Sequence, residues 1–88
     1  MKYKVTYDGE ALRQLRKMDS NTSSRIISWV DKNLQGCDNP RKTGKALSGK
    51  HAGKWRYRVG DYRIIAKIED GKLRILIVEL GHRKNIYG

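Results

Sequence analysis

The segment Trp55-Arg56-Tyr57-Arg58-Val59 constrains this chain more than any other. Side chains on an extended strand point alternately to opposite faces, so Trp55, Tyr57 and Val59 share one side and Arg56 and Arg58 the other. Such a strand packs an aromatic and apolar face inward and presents a cationic face outward. Gly60-Asp61 then supplies a tight turn into a second strand, Tyr62–Glu69, and Asp70-Gly71 is a strong hairpin signal into a third, Leu73–Leu80. The third strand reads Leu-Arg-Ile-Leu-Ile-Val-Glu-Leu, apolar on both faces, which predicts a central strand covered from both sides.

The N-terminal half has a different period. Residues 2–7 alternate with Tyr3, Val5 and Tyr7 on one side, the pattern of a half-buried strand. Asp8 is placed to cap a short helix running to about Lys17, with Ala11, Leu12, Leu15 and Met18 along one side. Asp19-Ser20-Asn21 offers caps for a second helix to about Gln35, in which Ile26, Ile27, Val30 and Leu34 follow the 3.6-residue repeat and Gly36 is the stop. Between Cys37 and Gly53 no period survives, and Pro40, Gly44, Gly49 and Gly53 punctuate a long basic loop.

These elements predict an α+β fold of order βααβββ, a single compact domain over residues 1–88. Two antiparallel helices pack on a mainly antiparallel four-stranded sheet. A chain of 88 residues with 38% apolar content has room for one such core and no more.

Charge narrows the partners. The net charge is +11, and residues 41–88 carry thirteen basic against four acidic side chains, a net of +9 of that total. A one-sided field of this size draws in polyanions, nucleic acid or an acidic protein first. Cys37 is the sole cysteine and the two histidines have no acidic cluster beside them, so no disulfide, metal site or cofactor is expected. The chain has no apolar run of about 18 residues and no leader-like start, so a cytoplasmic protein without membrane contact is expected. Trp29 and Trp55 are expected to pack the core or sheet.

The cationic residues recur at related places: Arg56 and Arg58 on one strand face, Arg63 just past the Gly60-Asp61 turn, and His82, Arg83 and Tyr87 after the last strand. Lys45, Lys50 and Lys54 precede the first of these strands. Three runs in combination carry a resemblance: Lys45-Ala46-Leu47-Ser48-Gly49, then Trp55 to Ile64 with its Gly60-Asp61-Tyr62-Arg63, then Gly81-His82-Arg83-Lys84-Asn85-Ile86-Tyr87. Together with the element order they resemble the RelE/ParE toxin superfamily over essentially the whole chain.

The resemblance to the RelE branch implies a toxin of a type II toxin–antitoxin system that cleaves mRNA in the ribosomal A site without a metal. Its partners would be the ribosome with its rRNA and a cognate acidic antitoxin. Carried over, Arg56, Arg58, Arg63, Arg83 and Tyr87 serve cleavage, and Lys45, Lys50, Lys54 and Lys84 attract phosphates. Such a reaction needs a base for the attacking 2′-hydroxyl, cations beside the phosphorane-like transition state and an acid for the leaving 5′-oxygen. Arginine suits the middle task, because its planar fork matches phosphate oxygens and keeps its charge. Some relatives carry lysines where Arg56 and Arg58 stand, and His82 and Tyr87 compete for the acid and base roles. Two other functions fit the sequence: a ParE-like inhibitor that binds DNA gyrase without cleaving RNA, and a basic nucleic-acid-binding module outside any toxin system.

Overall fold

The computed structural model describes residues 2–82. Strand β1 (Lys4–Tyr7) leads into helix α1 (Gly9–Lys17) and helix α2 (Ser20–Asn33). Both helices start where a carboxylate can take up free N–H groups. Asp8 accepts from Glu10 N at 2.7 Å, and Asp19 accepts from Thr22 N at 2.8 Å. Helix α2 gives way at Leu34, one residue before the predicted end, and Gly36 reverses the chain at φ +77° so that its N–H reaches Tyr3 O at 2.8 Å.

A two-residue strand β2 (Lys45–Ala46) follows, then β3 (Trp55–Val59), β4 (Tyr62–Glu69) and β5 (Arg74–His82). The sheet order is β1-β5-β4-β3-β2, with β1 parallel to β5 and every other pair antiparallel. The sheet therefore has five strands where the pattern predicts four. Strand β2 lies inside the predicted loop and pairs Lys45 with Arg56 and Ala46 with Trp55.

Ala11, Leu15, Ile26, Val30 and Leu34 from the helices close over Tyr57, Ile64, Ala66, Ile75, Ile77 and Leu80 from the sheet. Trp29 and Trp55 pack against this core, as expected of them. Burial of each large aliphatic side chain contributes about 1.5–3 kcal/mol.

The hairpin at Asp70-Gly71 forms as predicted but with a longer link, and the reading of the last strand as covered on both faces is corrected. The Asp70-Gly71 turn is a 3₁₀ turn over Asp70–Lys72 followed by Leu73 at φ +49°, a four-residue link between the paired Glu69 and Arg74. The reason is tertiary: the Asp70 carboxylate is engaged by the hydroxyl of Tyr3 at 2.5 Å and by both terminal nitrogens of Arg41 at 3.0 Å. Strand β5 is covered fully on one face only. Ile75, Ile77 and Leu80 are buried under the helices, whereas Leu76 and Val78 are half-buried on the outer face. The β3–β4 turn is as predicted, with Val59 paired to Tyr62 across Gly60-Asp61 and Gly60 at φ +60°.

Strand β5 also changes phase. Ile65 pairs with Glu79 and Ala66 with Ile77, so Val78 is an extra, bulged residue. Beside it the N–H of Leu80 donates to Gln14 Oε1 at 2.6 Å. The bulge turns Leu80 and His82 toward the helices and Glu79 and Gly81 toward the open face.

Candidate functional site

The register of β2, β3, β4 and β5 assembles a cationic surface on the sheet face away from the helices. Across the strands, Lys45, Arg56, Ile65 and Glu79 lie in one row, and Arg58, Arg63 and Gly81 in the next. Arg58 and Arg63 are therefore direct cross-strand neighbours, as are Lys45 and Arg56. Side chains so placed have Cβ atoms about 4.5–5.5 Å apart, and like charges there oppose sheet formation.

Burial grades the three arginines. Arg58 is exposed, Arg56 half-buried, and Arg63, at 7% exposure, is the one buried charged residue among those described. Ile65, at 1%, sits beneath them on the same face and gives the row an apolar floor. A guanidinium held against such a floor acts through a lower dielectric than bulk water, and its pull on an incoming anion is correspondingly stronger.

The loop that delivers Lys45 is tied down at several points. The hydroxyl of Tyr57, a residue with 0% exposure, donates to Pro40 O at 2.5 Å, and burial pushes that hydroxyl's pKa far up. Trp55 Nε1 donates to Thr43 O at 2.7 Å. Arg41 forks onto Asp70, and this ion pair holds the carboxyl of Asp70 below the usual range. Gly44, at φ +85°, runs so close over β3 that a Cβ there would lie 2.4 Å from Arg56 O and 2.6 Å from Trp55 Nε1. The sequence shows the glycine but not these partners, which lie 12 to 29 residues away along the chain. Where β2 begins, the loop, β3 and α2 line a hollow of about 180 Å³ with Arg56 and Arg58 on its lining.

The other predicted site residues fall elsewhere. Lys50 is exposed on the 3₁₀ turn Gly49–His51, and Lys54 lines a second hollow with Arg41, Trp55 and Ile68. His82 pairs with Tyr62 and meets its ring edge-on, centroids 5.5 Å apart, on the helix side of the sheet. It stands on the opposite face from Arg56, Arg58 and Arg63. Arg83, Lys84 and Tyr87 lie outside the described residues. Among the described residues no three His, Cys, Asp or Glu side chains come together as a metal-ligand set, and no helix is long and apolar enough to cross a membrane.

Comparison with known proteins agrees with this architecture. The family model for the ParE toxin of type II toxin–antitoxin systems, parDE, matches residues 5–87. The chain is 29% identical to toxin RelG of Mycobacterium tuberculosis, over 99% of this chain and 98% of that protein. The toxin–antitoxin complex RelBE2 of Mycobacterium tuberculosis contains a chain that superposes with a TM-score of 0.84 at 26% identity, covering 94% of this chain and 93% of that one. A chain of the archaeal RelE–RelB complex from Pyrococcus horikoshii superposes with a TM-score of 0.72 at 26% identity, covering 94% and 97%.

Proposed function

This chain belongs to the RelE/ParE superfamily of type II toxin–antitoxin toxins, and we propose that it acts as a ribosome-dependent mRNA endoribonuclease that halts translation. The observation that carries the proposal is the gathering of Arg56, Arg58 and Arg63 on one sheet face, away from the helices, with Lys45 beside them. On this proposal the face receives the sugar–phosphate backbone. The 2′-hydroxyl oxygen attacks the adjacent phosphorus, the bond from phosphorus to the 5′-oxygen breaks, and the fragments carry a 2′,3′-cyclic phosphate and a 5′-hydroxyl. Arg63, fixed by burial, stabilises the charge that develops on the phosphorane oxygens, while Arg58 and Arg56 grip the flanking phosphates.

Arg83, Lys84 and Tyr87 complete this proposal from the terminal segment: Arg83 as a further cation, Lys84 with Lys45, Lys50 and Lys54 as phosphate attractors, and Tyr87 as proton carrier or stacking ring. His82, turned to the helix side against Tyr62, takes a positioning role at the end of β5. The ribosomal A site holds mRNA bent for in-line attack, and because the described face is rich in cations and poor in bases, the proton of the 2′-hydroxyl reaches the leaving 5′-oxygen through Tyr87 or a group of the ribosome. Relatives of this fold are known as complexes of RelE with RelB, and a cognate acidic antitoxin, binding in the cytoplasm, fits a surface of net charge +11.

The ParE name of the matching family favours a second reading, inhibition of DNA gyrase by binding alone. Purified protein added separately to a translating extract and to gyrase with relaxed plasmid separates the two. The ribonuclease proposal expects truncated mRNA and unimpaired supercoiling. Intact mRNA with blocked supercoiling would reverse the assignment.

A further inference from the structure

We infer that the hollow at the start of β2 is a nucleobase subsite, which selects one base of the strand whose backbone lies on the arginine face. Its use in RNA recognition rests on the ribonuclease proposal; its ability to bind a base does not. The aromatic wall is Trp29 of α2, backed by the fully buried Tyr57 of β3, with ring centroids 5.8 Å apart and planes inclined at 52°. The rim is cationic, formed by Lys45, Arg56 and Arg58. Trp29 is half-buried where it lines the hollow, which keeps part of its surface available to a ligand.

The size suits one planar heterocycle. The hollow holds about 180 Å³, and an apolar cavity of about 150 Å³ accommodates benzene. It is also formed in advance. Gly44 passes within reach of Arg56 O only because it lacks a side chain, and the hydrogen bonds from Trp55 Nε1 to Thr43 O and from Tyr57 to Pro40 O fix the wall before a ligand arrives. A preformed wall lowers the ordering cost of binding. Aromatic wall plus cationic rim is the chemistry of a base with its phosphate attached, since stacking uses the indole of Trp29 and the phosphate uses the guanidinium groups. An acidic peptide would engage the rim and gain nothing from the rings.

The experiment is a heteronuclear NMR titration of the whole chain with the four nucleoside 5′-monophosphates, with inorganic phosphate and hexaglutamate as controls. The nucleotides are expected to move the indole N–H of Trp29 and the amide of Gly44, at least one base more than the others, while the two controls move only resonances of the arginine face. Replacing Trp29 with leucine should weaken nucleotide binding by roughly five- to a hundredfold, the range of one lost stacking contact. Trp29→Phe retains a ring and should retain most of the binding, which separates stacking from damage to the fold. Cut sites on mRNA should lose their base preference in Trp29→Leu. Phosphate or hexaglutamate shifting the Trp29 indole as far as the nucleotides do, or unchanged binding by Trp29→Leu, would overturn the subsite. Nucleotide binding at Trp29 with no cleavage of any mRNA would sink the ribonuclease proposal and leave the subsite standing; cleavage with an unresponsive Trp29 would do the reverse.

Discussion

Tyr57→Phe removes a single oxygen atom, and the structure gives that atom a defined task. The ring has no exposed surface and packs among the core residues, so phenylalanine fills the same volume. What is lost is the 2.5 Å hydrogen bond to Pro40 O, a carbonyl on a buried residue at the start of the loop that carries Lys45 to β3. A typical hydrogen bond contributes about 0.5–1.5 kcal/mol net, and an acceptor left buried without a donor costs about 1–3 kcal/mol. The expected destabilisation is therefore about 1–2 kcal/mol, which in a domain of this size lowers the melting temperature by roughly 4–16 °C. Thermal unfolding followed by far-ultraviolet circular dichroism measures the shift. Hydrogen exchange localises it, with the amides from Thr43 to Lys45 accelerating more than those of β4 and β5. A variant that melts at or above the parent temperature would refute the idea that this hydroxyl anchors the loop.

Further outcomes follow from the same geometry. Arg58→Ala and Arg63→Ala should each lower mRNA cleavage by roughly 10²–10³-fold, the loss seen when one preorganised donor to a developing oxyanion is removed; primer extension on a translated message reads this directly. Gly44→Ala should destabilise the fold by about 1 kcal/mol or more in urea titrations, because the residue sits at φ +85° and its Cβ would overlap Arg56 O. The ion pair with Arg41 lowers the folded-state pKa of Asp70, so its contribution is present above the unfolded carboxyl pKa and is lost as pH falls through the folded value. Asp70→Asn should accordingly melt lower than the parent at neutral pH and converge with it in acid. A gap that persists unchanged into acid would contradict the role of that ion pair.

Local chemistry made much of this fold legible in the sequence, and long-range pairing hid the rest. The caps Asp8 and Asp19, the alternation from Trp55 to Val59 and the Gly60-Asp61 turn act within a few residues of themselves, and each forms as its pattern predicts. Strand β2 has two residues and no period; it exists because β3 offers it an edge. The Asp70-Gly71 turn departs from a tight hairpin because Tyr3 and Arg41, distant in sequence, engage the Asp70 carboxylate. The site divides in the same manner. Arg56, Arg58 and Arg63 follow from strand parity and one short turn, and they share a face. For His82, parity counted along β5 from Ile75 and Ile77 puts it with the arginines, and the bulge at Val78 reverses that count. Trp29 carries no signal of its own as a site residue, since its spacing in α2 is that of an ordinary packing position.

The RNA ends carry the most direct signature of attack by the 2′-hydroxyl. A reporter mRNA translated in a purified system with this protein should yield 5′ fragments ending in a 2′,3′-cyclic phosphate and 3′ fragments starting with a 5′-hydroxyl. Both should fade by at least about a hundredfold with Arg63→Ala. Intact message, ends bearing a 5′-phosphate, or undiminished cutting by Arg63→Ala would show that the arginine face does not support attack by the 2′-hydroxyl.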